Sequence, residues 1–341
     1  MSVSNEISRS LMEKENPFDE IIGQEEAKKQ LSSALLSGRH VLIIGQPGIG
    51  KTTLAKNVAK ILPSKTVNDC GFNCLPKKPV CPACRSSRQK TKKVSGKERF
   101  IRIQGSPDLT SEDLIGDIDP IKALKYGPLS TEAFTPGKIF KANNGVLFFD
   151  ELNRCPERLQ NTLLQILEEG KATIGSYDLD FEADFVFIGT LNPKDINTEK
   201  LSDGLLDRFD IINMDFPESD EVEKHIVKVK GKNLGVEFPE ILLSIAVRFV
   251  RGLRESDDLE KLPSVRASLG LYERAQANAI IANRKNVSFD DIKDAVLSVL
   301  SHRIELKPSI KYLKSPSEFL NEEFRKFAEE NRETIEKGGY L

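Results

Sequence analysis

The residues of this chain that could do chemistry form two clusters and a few single polar positions. The sharpest cluster is Gly45-Gln46-Pro47-Gly48-Ile49-Gly50-Lys51-Thr52, with Thr53 after it. It fits the pattern G-x-x-x-x-G-K-[ST], whose glycines let backbone N–H groups turn inward around phosphate oxygens. Lys51 would bring positive charge to the outer phosphates, and Thr52 a hydroxyl to Mg²⁺. The helix that follows would present its N-terminus to the same anions, which its dipole favours. A plain glycine turn is the bland alternative, but it would not need the apolar strand before it and the helical stretch after it.

The second cluster is Cys70-Gly-Phe-Asn-Cys74 with Cys81-Pro-Ala-Cys84, a C-x₃-C-x₆-C-x₂-C spacing. Two close-spaced pairs can close a tetrahedral four-thiolate site, around which so short a loop could fold. Zinc in a structural role is the first expectation, since four ligands leave no open position. An iron–sulfur cluster also takes four thiolates and stays open as a reading, as does a loop without metal. Disulfides are disfavoured in a reducing compartment. Cys155 stands alone and reads as a packed thiol, because His40, His225 and His302 are distant in sequence.

The cysteine segment is also basic. Lys65 to Arg102 holds eleven Lys or Arg against Asp69 and Glu98. That is either a patch for nucleic acid or an acidic partner, or a solvated charge run. Only Phe72 and Phe100 add aromatics, which gives little to stack bases on.

Four further positions carry polar groups beside apolar runs. Val146-Leu-Phe-Phe-Asp150-Glu151 would set two carboxylates at the C-terminal end of a buried strand, where open α/β sheets bind ligands. Asp150 could orient Mg²⁺ through its water shell and Glu151 polarise an attacking water. An acidic pair there can also be a mere helix cap. Asn192, after Phe185-Val-Phe-Ile-Gly-Thr190-Leu, could hold that water or touch the outer phosphate, or be a turn residue before Pro193. Arg208 could reach a neighbouring subunit's γ-phosphate, or pair locally with Asp207 or Asp210. Arg266 could sense the nucleotide, or be a solvated arginine at a helix start.

These groups need elements to place them. Strands are expected at 40–45, 99–104, 145–149, 184–189 and 211–216, with helices between, notably 24–36, 52–62 and 156–169. Such alternation argues for a parallel α/β sheet covered on both faces. After Pro217 the pattern turns helical at 219–229, 239–251, 264–282 and 289–305. The expected organisation is a polar N-terminal tail 1–16, a nucleotide-binding core 17–217, a helical lid 218–305 and a charged helical tail 306–341. The cysteine insertion occupies 63–98 of the core.

Composition sets outer limits. The chain has 341 residues, 39% hydrophobic and 30% charged, with a net charge of −2. That is a globular balance with no overall basic field, so nucleic acid is not indicated globally. No apolar run is long enough to span a bilayer, and the first residues lack a signal-peptide pattern. A cytoplasmic protein with no membrane partner is expected.

The ordered set Gly45–Thr52, Asp150-Glu151, Asn192, Arg208 and Arg266 resembles an AAA+ ATPase: Walker A, Walker B, sensor 1, arginine finger and sensor 2. Asp117-Ile-Asp119-Pro-Ile-Lys-Ala-Leu124, Phe134 through Asn153, and Leu205-Leu-Asp-Arg-Phe209 resemble the ATPase (I) subunit of magnesium chelatase and the related MoxR group. The resemblance runs from about Asn16 to Glu305. It implies a P-loop core with a helical lid, and ATP and Mg²⁺ bound at their junction. It implies an adenine pocket lined by Phe18–Gln24, with Ile21 and Ile22 in it. Residues 112–140 resemble the helix-2 insertion and 171–183 the pre-sensor hairpin, around Gly175-Ser176. Tyr126, Phe134 and Tyr177 on these inserts are candidates for substrate contact, or simply pack them. A ring, expected to be a hexamer, would let Arg208 act in trans, while Arg266 in cis or in trans stays open. The implied output is remodelling of a client, chaperone- or metal-insertion-like, with a von Willebrand A domain partner. The competing reading is a nucleic-acid motor or loader, since replicative helicases share both inserts.

Overall fold

Five apolar runs fold as one parallel sheet in the computed structural model, which describes residues 2–127, 130–174, 179–193 and 200–337. The strands are β1 (His40–Gly45), β2 (Phe100–Gln104), β3 (Gly145–Asp150), β4 (Phe185–Leu191) and β5 (Phe209–Met214). Their order is β5-β1-β4-β3-β2, every neighbour parallel. Residues 145–149 of β3 and 185–190 of β4 are all buried, which is why both read as unbroken apolar runs rather than alternating ones. β5 begins two residues earlier than the sequence suggests, because Phe209 pairs with His40 at the foot of β1.

Helices α1 (Val3–Glu13), α2 (Glu25–Leu36), α3 (Lys51–Ile61) and α4 (Glu157–Glu169) belong to this sheet's unit. α1 corrects the expectation that 1–16 is merely a polar tail. Ser2 Oγ accepts the Asn5 N–H and caps it, while Val3, Ile7 and Leu11 form a narrow buried stripe. Three apolar positions in so polar a segment give a weak periodic signal. Glu6 supplies the rest of the anchor, accepting from Arg99 Nη2 at 2.6 Å and pairing with Lys65 Nζ at 2.6 Å. The Val3 N–H donates to Asp184 Oδ2 at 3.1 Å.

Three small antiparallel hairpins decorate the unit. Lys65–Asn68 pairs with Thr91–Val94 across the cysteine segment, which also holds a short helix, Pro82–Ser86. Gly116–Ile118 pairs with Phe134–Pro136, enclosing the helix Pro120–Tyr126, whose start Asp119 caps by accepting from the N–H groups of Ile121 and Lys122. Lys171–Ile174 pairs with Leu179–Glu182. The expected tip of that hairpin, with Gly175, Ser176 and Tyr177, lies outside the described residues.

By packing, the chain divides into Met1–Gln46 with Gly50–Met214, and Pro47–Ile49 with Asp215–Leu341. The second unit is helical: α5 (Asp220–Lys230), α6 (Glu240–Arg254), α7 (Val265–Ile281), α8 (Phe289–Leu300) and α9 (Pro316–Glu330). α8 stops at Leu300, five residues short of the sequence expectation, and Glu305–Leu306 then pairs with Leu259–Lys261. The described part of 306–341, as far as Lys337, is not an appended tail. α9 starts on a capping box of Ser315 and Glu318 with Pro316 at its first position. Its Phe319, Leu320 and Phe324 enter the helical core, Phe324 lying 4.9 Å from Phe249 and 5.4 Å from Phe289. Glu223, fully buried, is held by Arg254 through two 2.7 Å bonds and by Ser268 Oγ at 2.6 Å, which ties α5, α6 and α7 together. No helix among the described residues is long and apolar enough to cross a membrane.

Candidate functional site

β1 ends at Gly45, where the chain enters the glycine loop that leads to α3. Gly50 has φ +105°, a backbone that L side chains rarely adopt, and an added Cβ would lie 3.6 Å from Ile21 Cδ1. Ile21 is therefore beside the loop, buried, with Ile22 half-buried next to it. Lys51 Nζ donates to the carbonyls of Gly45 and Gln46, the latter at 2.9 Å, so the ammonium folds back over its own loop. Thr52 and Thr53 sit half-buried in the first turn of α3.

The two carboxylates leave the end of β3 in different settings. Thr190 Oγ1 donates to Asp150 Oδ1 at 2.7 Å, and Arg102 Nη2 donates to its Oδ2 at 2.5 Å. Glu151 is held at the next position in a left-handed backbone, φ +57°, by its N–H donating to Thr190 Oγ1 at 2.9 Å. Its carboxylate accepts from Gln104 Nε2 at 2.9 Å and pairs with Arg154 at 3.1 Å. Backbone packs tightly here: a Cβ on Gly105 would fall 2.0 Å from the Glu151 carbonyl oxygen. One hydroxyl, Thr190, thus sets both acids, and β2 supplies a cation to one and an amide to the other.

Asn192 follows β4, and its carbonyl accepts from Asn153 Nδ2 at 3.3 Å. Asn153 is buried, and its Oδ1 has no partner among the described residues, so a polar atom is left over beside the carboxylates. Arg208 is exposed and pairs with Glu168 on α4 at 2.7 Å. Arg266 is exposed at the second position of α7. Burial, and then the charge of Arg266, hold Arg303 below the usual arginine range. Tyr126 is half exposed, as a contact residue needs, but Phe134 is 7% exposed and belongs to a core, not to a contact surface.

The four cysteines of the insertion converge: their sulfurs lie within 4.8 Å of one another. A single ion with thiolate bonds of about 2.3 Å holds its sulfurs about 3.8 Å apart, so the cluster is of the right size for one. The N–H groups of Val80 and Cys81 both donate to Cys74 Sγ at 3.3 Å. The sulfurs share hydrogen bonds that split their acidities: Cys70 is held far below the usual thiol range, first by its hydrogen bond with Cys74. Cys74 is pushed up to about 11, first by its hydrogen bond with Cys70, and Cys81 is pushed far up by Cys70 and Cys74. A donor set of this kind fits a soft divalent ion. Cys155 is fully buried among apolar side chains, consistent with a packed thiol. The basic stretch is partly neutralised: Lys65 and Arg99 pair with Glu6, Lys78 with Glu182, Lys92 with Asp69 and Arg102 with Asp150.

Sequence reasoning missed Arg102, Gln104, Thr190 and Asn153. The signal for the first two was present, since polar residues at alternate positions of β2 must share one face. Thr190 was legible only as a hydroxyl ending an otherwise apolar run.

Known proteins are similar to this chain in sequence and fold. Residues 83–211 match the family described as ATPase family associated with various cellular activities (AAA), and residues 261–323 match the AAA lid domain. Residues 17–74 match magnesium chelatase, subunit ChlI. The chain is 28% identical to a magnesium-chelatase subunit ChlI homolog of Methanocaldococcus jannaschii over 321 residues, covering 86% of each. It is 34% identical to the chloroplastic magnesium-chelatase subunit ChlI-2 of Arabidopsis thaliana over 201 residues, 57% of this chain and 47% of that one. It is 26% identical to the uncharacterized protein YeaC of Bacillus subtilis, covering 82% of each. Among solved structures, a complex of magnesium chelatase subunits BchI and BchD shares the fold at TM-score 0.50 and 22% identity, covering 87% of this chain and 98% of that one. A point mutant of Thermotoga maritima RuvB shares it at TM-score 0.50 and 22% identity, covering 83% and 72%. Together the matched segments 17–74, 83–211 and 261–323 make the chain an AAA+ ATPase of the magnesium-chelatase ChlI type.

Proposed function

We propose that the protein is a Mg²⁺-dependent ATPase that assembles into a hexameric ring and uses hydrolysis to remodel a partner protein. The observation that carries it is the pair Asp150 and Glu151, set by Thr190 at the C-terminal end of β3, in the same sheet whose β1 feeds the glycine loop. Gly45 to Thr53 would cradle the phosphates of ATP, with Lys51 leaving its loop carbonyls for the outer ones, and Ile21 and Ile22 beside the adenine. Thr52 and Asp150 would hold Mg²⁺, which supplies charge neutralisation on the phosphates. Glu151 takes the proton of the attacking water, Asn192 positions that water, and Arg208 exchanges its exposed partner Glu168 for a neighbour's γ-phosphate. Arg266 reports the nucleotide state to the helical unit. Catalysis of this kind is placement plus electrostatics, and a finger supplied in trans makes the lone chain nearly inactive.

The Cys70, Cys74, Cys81 and Cys84 site holds structural Zn²⁺. The span of the sulfurs suits one ion; a cluster of several irons would spread its thiolates further. Free thiolates require a reducing cytoplasm. The solved BchI–BchD complex pairs one chelatase subunit with a second one, in keeping with a protein partner; the sequence resemblance implies that this partner carries a von Willebrand A domain and that the role is chaperone- or metal-insertion-like.

A substrate trap tests the reading. Glu151→Gln should bind ATP and lose turnover by about 10²- to 10⁴-fold. Purified from its own cells with ATP and Mg²⁺, it should retain a protein partner. Retention of nuclease-sensitive DNA or RNA instead would overturn remodelling in favour of a nucleic-acid motor, with residues 65–102 as its contact.

A further inference from the structure

Phe72 lies between the first two cysteines, inside the loop they close. Its ring is 5.0 Å from Phe140, 5.3 Å from Phe181 and 6.1 Å from Phe134. Phe134 and Phe140 come from the insert that precedes β3, and Phe181 from the hairpin that precedes β4. The two inserts are distant in sequence, and their aromatic rings meet one another around this residue, Phe140 lying 5.7 Å from Phe181.

The cysteine loop reaches the same two inserts through its backbone and its charges. A Cβ on Gly71 would fall 2.4 Å from Pro136 Cγ, so the chain passes directly over the hairpin Gly116–Ile118 with Phe134–Pro136. Asn73 Nδ2 donates to the Lys141 carbonyl at 2.7 Å, and Asn143 Nδ2 donates to the Phe72 carbonyl at 2.9 Å. Asn143 Oδ1 in turn accepts the Asp184 N–H at 3.0 Å, just past the second hairpin. Lys78 pairs with Glu182 at 2.6 Å. Inside the loop, the Asn68 N–H donates to the Cys74 carbonyl at 2.8 Å and the Val80 and Cys81 N–H groups to Cys74 Sγ, so the cysteines hold its shape, and Cys74, Cys81 and Cys84 are buried against the same core as Phe72.

We infer that metal bound by Cys70, Cys74, Cys81 and Cys84 does not merely fold the insertion but sets the placement of the two inserts, with Phe72 as the wedge between them. The inference rests on the metal reading above and extends it to what the metal is for. An ion that fixes Cys70 and Cys74 fixes the three residues between them, and so fixes the ring that Phe134, Phe140 and Phe181 pack on. The site then governs how the inserts are presented to a client while taking no part in the phosphate chemistry.

The test is hydrogen exchange on the full chain with metal content measured by emission spectrometry. About one zinc per chain is expected, and chelation should speed amide exchange in 134–141 and 179–183 about tenfold or more, as local opening is released. Helix α6, in the other unit, should exchange as before. Phe72→Ala keeps every ligand, should keep the zinc, and should speed the same two segments; Phe72→Leu should restore most of the protection. If chelation also loosens α6, the Phe72→Ala comparison decides. Zinc retained with no change in 134–141 and 179–183 in either experiment overturns the coupling and leaves the metal site standing. No metal in the purified chain, and none taken up from added Zn²⁺, overturns both.

Discussion

Arg102 is an unexpected neighbour for a carboxylate that is to hold Mg²⁺. It neutralises Asp150 at 2.5 Å while 48% exposed, so it behaves as a built-in counter-ion that a divalent cation must displace. An ion pair this open to water contributes about 0.5–1 kcal/mol. Arg102→Ala should therefore lower the Mg²⁺ concentration for half-maximal nucleotide binding by about two- to fivefold. A titration with Mn²⁺, followed by electron paramagnetic resonance, reads this without turnover; unchanged or weaker metal binding would contradict it. His40 makes a second residue-scale case. Its Nδ1 accepts the Phe187 N–H at 3.1 Å, and burial lowers the imidazole to about 4 from 6.5. The unfolded chain then binds a proton that the folded chain refuses, so stability falls as pH drops from 6.5 toward 4. The slope is at most about 1.4 kcal/mol per pH unit from this group. His40→Asn keeps an acceptor without a titration, and urea unfolding across that window should show the slope reduced. At this scale the sequence displayed the groups that touch phosphate, because their spacing is rigidly prescribed by loop and strand. It did not display Thr190 or Arg102, whose roles come from registers between strands that no local pattern encodes.

Elements were legible where burial was two-sided. The five strands and the helices between them follow from long apolar runs and glycine boundaries, whereas α1 and α9 were read as tails. Both are thin amphipathic helices whose few apolar residues count only once a core exists to receive them. That makes α1 testable. Glu6 and Arg99 are 9% and 4% exposed and paired at 2.6 Å. Removing one partner of such a pair strands the other charge, which costs about 3–5 kcal/mol. Glu6→Ala should lower the unfolding free energy by about that amount in urea titrations; a frayed tail would make Glu6→Ala silent. For α9, Phe324→Ala empties the space against Phe249 and Phe289 and should cost about 3–5 kcal/mol in the unfolding of the helical unit. The inserts were legible as interruptions, but their mutual packing through Phe72 and Phe140 was not, since an aromatic on an insert looks the same in sequence whether it faces a client or a neighbour.

At the scale of the whole molecule, the proposed division of labour between chains makes a prediction that a single chain cannot satisfy. Glu151→Gln lacks the base and Arg208→Ala lacks the finger, so each alone should be nearly inactive. Mixed in equal amounts, about a quarter of randomly formed interfaces join an intact Glu151 to an intact Arg208. The mixture should regain roughly a quarter of the wild-type rate per chain, given a finger worth about 10³ or more. No recovery would place Arg208 outside the neighbour's site. The sheet order carries a separate consequence for how the protein is made. β1 lies between β5 and β4, and its first residue, His40, pairs with Phe209. A ribosome adding about 5–20 residues per second needs roughly ten to thirty seconds to cover that span. Through most of that interval the run His40-Val-Leu-Ile-Ile has emerged with neither of its partners, β4 following only at Phe185 and β5 at Phe209. Nascent chains of this protein should therefore be customers of the cell's own holding factors, and slower synthesis should lower the yield of folded protein rather than raise it.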